Sequence, residues 1–351
     1  MIPKTMKAVV VDGERSAVVY EVSTPVPQPG EILIELKACL LCTWEQRIFS
    51  RASNMALPYI PGHEASGTVA YIPEGTLTSF QVGDPVVIKT LNHCGHCEAC
   101  YRGADNQCTG AARTRSYDGI PAAGGLAQYI AMEVSRVFPM KSAQPVTFEE
   151  AAFAEPVACC VRSMERADIQ LGEDVVIVGA GIMGQLHNVL AKMRGARTIV
   201  AEPDERRRAL ALSMGADIAF NPIEEDPVAK IKELTLGQGA HVVFVTTAMT
   251  KLAQDYIEAV GKMGRVIYYG SFHPDGDIAV NPNRIHYSEK VITGSYSPNT
   301  RGFWTASQLL RNHLIDVKPF LSAMYDMKDC QLAFEQALSP ETYRVGIRLT
   351  D

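Results

Sequence analysis

The stretch Val175-Val176-Ile177-Val178-Gly179-Ala180-Gly181-Ile182-Met183-Gly184 constrains this chain more than any other. A short β-branched run leads into Gly-x-Gly-x-x-Gly, and a helical apolar pattern follows over 182–194. Gly179 permits a tight turn, Gly181 lets the backbone approach a bound group, and Gly184 lets the helix lie close to the strand. A helix opening there presents free amides and a positive dipole end, which is a seat for a pyrophosphate. The glycines alone would describe any turn. The strand before them and the helix after them supply the context that the motif demands.

The surrounding texture agrees. Strands are expected at 175–178, 197–201, 241–245 and 265–269, and helices at 182–194, 205–214 and 254–260. Short apolar strands alternating with amphipathic helices imply a parallel sheet covered on both faces. The first half reads differently, with strands at 6–11, 31–38, 62–70 and 86–90 between Pro- and Gly-rich turns. Thr147-Phe148-Glu149-Glu150 then opens a helix through Ala151–Arg166, with Thr147 as N-cap and Glu150 completing a capping box. At 351 residues the chain exceeds one ordinary core, so two domains are expected.

The second expected Rossmann-type strand ends at Glu202. A carboxylate there accepts hydrogen bonds from the adenosine ribose and repels a 2′-phosphate, which favours NAD over NADP; otherwise it is a solvent-facing strand end. Arg206 and Arg207 lie close enough to soften the preference. The run Arg206-Arg207-Arg208 is read as a solvated helix face. A net charge of -6 gives no footprint for nucleic acid or an anionic membrane. No apolar run approaches the roughly 20 residues that span a bilayer, and the first residues have no signal-peptide pattern, so a cytoplasmic location is expected.

Cysteine usage carries the next inference. Four of the nine cysteines fall in Cys94-x2-Cys97-x2-Cys100-x7-Cys108. Four thiolates close a tetrahedral shell around zinc and leave no open position, which describes a structural site. The interleaved His93 and His96 are read as neighbours rather than ligands. A second, dispersed set consists of Cys42 after a strand, His63 in Gly62-His63-Glu64, and Glu155 in Ala154-Glu155-Pro156. Beside a dinucleotide site, an open zinc with three protein ligands would polarise an alcohol or carbonyl oxygen as hydride chemistry requires. Two zinc ions per chain are therefore expected.

Taken together, Gly62-His63-Glu64, Gly83-Asp84-Pro85-Val86, the four-cysteine lobe, Gly124-Gly125-Leu126-Ala127-Gln128-Tyr129, Glu155-Pro156 and Gly179–Gly184 resemble the zinc-containing medium-chain dehydrogenase/reductase superfamily, nearly end to end. The resemblance implies an α/β protein with a GroES-like β-rich catalytic domain (1–155 and 295–351, zinc lobe about 90–112) and a Rossmann doubly wound parallel-sheet domain (156–294). Substrate and nicotinamide would meet at the catalytic zinc. Glu155 resembles the sorbitol (polyol) and threonine dehydrogenase branch, in which the residue matching Glu64 is the alternate ligand. The cofactor contacts expected are Gly179, Gly181, Ile182, Met183, Gly184, Glu202, Arg207, Thr246 and Ser295. A homo-oligomer, dimer or tetramer, is expected as well.

Two departures bear on the substrate. The family's hydroxyl two residues after the first ligand is replaced by Trp44, so either Thr43 relays the proton or a water chain does. Glu45 stands where the family orients the ligand histidine. Sorbitol dehydrogenases carry an Arg where this chain has Ser295, before Tyr296. The pocket expected from Trp44, Glu45, Ser295 and Tyr296 suits a polyol, cyclitol or amino-polyol. An amino-alcohol resembling threonine is the alternative, and a non-catalytic NAD-binding sensor is a third reading.

Overall fold

The computed structural model describes residues 2–110 and 115–350, so positions 111 and 112 of the expected zinc lobe lie outside it. The chain divides into two compact units, Met1–Ala158 with Pro298–Asp351, and Cys159–Ser297. The sequence had put these junctions at 155/156 and 294/295. Among the described residues no helix is long and apolar enough to cross a membrane.

In the first unit Thr5–Gly13 (β1) and Ser16–Ser23 (β2) form an antiparallel hairpin. Glu31–Leu41 (β3) leads through Cys42 into the helix Thr43–Phe49 (α1). Glu64–Tyr71 (β4), Pro85–Ile88 (β5), the short helix Glu98–Tyr101 (α2), the small hairpin Arg115–Tyr117 (β6) and Ile120–Ala122 (β7), Tyr129–Glu133 (β8) and Val137–Pro139 (β9) follow. Phe148–Ala151 (α3) and Ala154–Ala167 (α4) end this part.

The second unit begins within α4. Its elements are Asp174–Val178 (β10), Ile182–Met193 (α5), Arg197–Ala201 (β11), Glu205–Ser213 (α6), Ile218–Phe220 (β12), Pro227–Leu234 (α7), Ala240–Val245 (β13), Thr250–Asp255 (α8), Val260–Tyr268 (β14), Pro282–His286 (α9) and Val291–Gly294 (β15). The chain then returns to the first unit with Thr300–Arg311 (α10), Leu321–Asp326 (β16), Cys330–Ala337 (α11) and Arg344–Arg348 (β17).

The seven-stranded sheet of the first unit runs β16-β17-β3-β4-β5-β9, with β8 also on β3. The long strand β3 is its organising element because it pairs with β17, β4 and β8. Its buried residues Ile34, Leu36 and Cys39 pack with Phe49 and Phe334, whose rings lie 5.0 Å apart. The second unit is a six-stranded sheet of order β12-β11-β10-β13-β14-β15, parallel throughout. Val175 to Val178 are all buried, as a strand covered on both faces must be.

Two local expectations are corrected, and two short elements are added. The helix expected through 151–166 is broken at Ala152 and Phe153. The capping box of Thr147 and Glu150 opens only the short α3. Pro156 has no N–H to continue a helix and fits the first turn of a new one, α4. The helix expected at 254–260 is α8, ending at Asp255, followed by a 3-10 turn, and Val260 already belongs to β14. The short elements β12 and α7 were not read from the sequence; three residues of strand are too few to show a period.

Candidate active site

The turn from β3 into α1 builds one half of the site. Cys42 is the N-cap of α1, and its Sγ accepts the Trp44 amide at 3.2 Å. Glu45, three residues on and fully buried, closes the capping box by accepting the Cys42 amide at 3.1 Å. Its other oxygen takes the Gly62 amide at 3.1 Å and lies 2.7 Å from His63 Nδ1. One carboxylate thus ties together the Cys42 and His63 segments. It fixes the imidazole so that Nε2 is the nitrogen left for a ligand. Glu45 is fully buried and its oxygens hold the Cys42 and Gly62 amides and His63, so it orients the ligand histidine rather than facing a pocket.

The donor atoms of Cys42, His63 and Glu64 all lie within 4.8 Å of one another. One sulfur, one imidazole nitrogen and one carboxylate oxygen fit a zinc ion. The third member is Glu64 rather than Glu155, which the sequence had put first. Glu64 is the first residue of β4 and is fully buried. Arg344, the first residue of β17, forks onto it with Nε–Oε2 at 2.9 Å and Nη2–Oε1 at 2.8 Å. Glu155 is half-buried in the first turn of α4, and its charge is felt at Arg344. Arg344 was invisible in the sequence, because nothing local marks a partner 280 residues away.

The electrostatics are strongly coupled. Burial disfavours a charged His63, but the Glu45 carboxylate and Cys42 outweigh it and hold the imidazole pKa well above its ordinary value. Burial pushes the Cys42 thiol up against the pull of His63. Glu45 is lowered, because His63 overcomes the penalty of burial. Trp44 stands edge-on to His63, with ring centres 5.6 Å apart, and edge-on to Tyr59 at 5.7 Å. It both packs on the core and walls the ligand histidine. Thr43 is exposed at the first position of α1.

The second cysteine group is also assembled. Cys94, Cys97, Cys100 and Cys108 bring their Sγ atoms together, with Cys94–Cys100 at 4.0 Å, Cys97–Cys100 at 3.6 Å and Cys97–Cys108 at 3.8 Å. Tetrahedral zinc with Zn–S near 2.3 Å requires sulfurs about 3.8 Å apart, so the shell fits the ion. The amides of Cys100 and Thr109 lower the Cys97 thiol to about 5, favouring the thiolate. The lobe is fastened by Asp105, which pairs with the buried Lys89 and accepts the Thr300 amide at 3.0 Å and its hydroxyl at 2.7 Å. Sequence reasoning missed this anchor.

In the second unit the glycine turn takes the form that a phosphate site needs. A Cβ on Gly184 would lie 1.9 Å from the Gly179 carbonyl oxygen, so only glycine lets α5 start against β10. A Cβ on Gly181 would meet nothing within 4 Å, which leaves the turn open to a ligand. No side chain caps the N-terminus of α5, where Ile182 and Met183 follow Gly181. Glu202 is buried at the end of β11; its Oε2 accepts the Ala180 amide at 2.6 Å and its Oε1 the Asp204 amide at 2.9 Å. The amide of Arg207 caps onto Asp204 at 3.1 Å. Thr246 donates to the Val178 carbonyl at 2.8 Å and so braces the turn rather than facing a ligand. The next residue, Thr247, and Ser295 have buried hydroxyls without a partner. Both follow the C-terminal ends of strands, where a doubly wound sheet takes its ligand. Tyr296 is exposed.

Known proteins resemble this chain over nearly its whole length. The family model described as alcohol dehydrogenase GroES-like domain matches residues 28–142, and that described as zinc-binding dehydrogenase matches 183–312. The L-threonine 3-dehydrogenase of Pyrococcus furiosus is 32% identical over 346 residues, 96% of each chain. The chain belongs to the zinc-containing medium-chain dehydrogenase/reductase superfamily. The sorbitol dehydrogenase of Bacillus subtilis is 29% identical, covering 96% of this chain and 95% of its own. The benzyl alcohol dehydrogenase of Acinetobacter calcoaceticus superposes with a TM-score of 0.89 at 21% identity, covering 99% of this chain and 100% of its own. As a member of this superfamily the protein is a zinc-dependent dehydrogenase of the alcohol, polyol and threonine type.

Proposed function

We propose that this enzyme oxidises a secondary hydroxyl of a polyhydroxylated substrate (a polyol, cyclitol or amino-polyol) with NAD. The observation that carries the reading is the convergence of Cys42, His63 and Glu64 donor atoms within 4.8 Å. In this reading Cys42 and His63 hold the catalytic zinc with Glu64 or Glu155, and the four clustered cysteines hold a structural one. When bound, zinc polarises the substrate oxygen and NAD takes a hydride from the adjacent carbon.

The chain's own residues supply orientation. Glu45 fixes the His63 ring through Nδ1, and Trp44 packs an apolar edge beside it. Gly181 and the uncapped start of α5 suit the pyrophosphate, and Glu202 suits an unmodified ribose. The hydroxyl proton needs an exit. Thr43 Oγ1, exposed at the helix start, is one route, and water at the position that Trp44 denies to a hydroxyl is the other. An unchanged kcat in Thr43→Val across the pH profile would assign the exit to water.

The substrate class is supported by Arg344. Glu64 occupies its fork, so Arg344 offers no free guanidinium to a substrate carboxylate. That favours hydroxyl groups over an amino acid. The second reading, an amino-alcohol such as threonine, is favoured by the 32% identity to a threonine dehydrogenase. A zinc-loaded preparation assayed for NADH formation with polyols, cyclitols, amino-polyols and threonine decides between them. A polyol-type compound should have the highest kcat/KM, and threonine in first place would overturn the substrate assignment. The cytoplasm and a homo-oligomer, dimer or tetramer, complete the proposal. Nucleic-acid and membrane partners are not part of it.

A further inference from the structure

We infer that the first unit carries a second small-molecule site, for an aromatic monocarboxylate, between α10 and the β5–β9 edge of the seven-stranded sheet. The inference rests on no reading of the catalytic residues, none of which lines it. A cleft of about 660 Å³ opens there, within the range of ligand pockets. Trp304 and Arg311 line it from α10, two turns apart on one stripe of the helix. The opposite face of α10 is buried through Phe303, Ala306 and Leu310, so the helix is anchored and presents this stripe outward.

Three features make the cleft look built for a planar anion. Trp304 is 48% exposed, an unusually open setting for so large an apolar side chain. The Arg311 guanidinium lies over that ring at 5.9 Å. Among the described residues it has no acidic partner, and its buried Nε has no hydrogen-bond acceptor. Gln308, on the same stripe, has a buried Nε2 in the same condition. An unmet donor of this kind costs about 1–3 kcal/mol, and a carboxylate drawn into the cleft would answer that of Arg311, which lines it where Gln308 does not. Lys141 adds a rim cation that Asp84 balances at 3.3 Å, so the surplus positive charge is that of Arg311. Phe80, Pro139 and Phe138, the last stacked on Phe303 at 5.0 Å, make an apolar wall for the ring of the ligand. Bidentate contact from Arg311 to the carboxylate and stacking against Trp304 follow from these groups.

The probe is phenylacetate, titrated into the metal-loaded enzyme by calorimetry. Trp304 emission is followed in parallel in a Trp44→Phe background, where it is the sole tryptophan. One saturable site is expected, with Trp304 emission tracking the heat. Arg311→Met should weaken it about tenfold or more, Lys141→Gln by a few-fold, and uncharged benzyl alcohol should bind at least about tenfold more weakly. Lys141 is largely exposed, so its variant keeps the test decisive if Arg311→Met fails to fold. Absence of saturable binding, Trp304 emission that ignores the ligand, or equal affinity in parent and variants would overturn the proposal.

Discussion

His187 should make the second unit acid-sensitive. It lies on α5 three residues after Gly184, fully buried between Phe244 and Tyr269, with ring centres 4.6 Å from each. Its Nδ1 meets the Met183 carbonyl at 2.7 Å, while its buried Nε2 has no partner. Burial therefore lowers its pKa from 6.5 to about 4, with the Met183 carbonyl opposing weakly. Below about pH 6.5 the unfolded chain binds a proton that the folded chain refuses. The stability is fully present above that value and is lost as pH falls toward the folded pKa. The full shift corresponds to roughly 3 kcal/mol, and the part lost between about pH 7.5 and about pH 5 is about 2 kcal/mol. The assay is urea unfolding of parent and His187→Leu at both pH values, followed by far-UV circular dichroism. Neither tryptophan, Trp44 nor Trp304, belongs to this unit, so fluorescence would not report it. The parent should lose about 2 kcal/mol more than the variant on acidification. Equal losses would refute the argument, because every other titrating group is common to both.

Arg344→Met should cost about 3–5 kcal/mol in equilibrium unfolding by stranding the Glu64 carboxylate, and Arg344→Met with Glu64→Leu should recover much of it. A single-variant loss under about 1 kcal/mol would mean that Glu64 finds another cation. Gly184→Ala should abolish the rise in NADH fluorescence on binding, since its Cβ meets the Gly179 carbonyl oxygen at 1.9 Å. Glu202→Ala should shrink the kcat/KM preference for NAD over NADP, and an unchanged ratio would remove Glu202 from cofactor choice. Elemental analysis should return two zinc ions per chain and about one in Cys97→Ser, which should also unfold at lower urea.

Much of this protein was legible locally. The glycine turn, the capping box at Thr147 and the cysteine spacing each act over a few residues, so the chain determines them wherever it folds. The parallel sheet was readable because strands buried on both faces must be continuous apolar runs. What only tertiary structure decided is pairing across long separations. The sequence puts Glu155 first and Glu64 as the alternate, and it is Glu64 that lies with Cys42 and His63 and takes the fork of Arg344 from β17. Glu45 could have faced a substrate, but the approach of Gly62 and His63 claims its oxygens. Thr246 and Thr247 are adjacent just past the end of β13, yet one hydroxyl bonds the Val178 carbonyl and the other is left unpartnered. A carboxylate or hydroxyl takes its role from the partner that arrives in space, and sequence distance carries no record of that arrival.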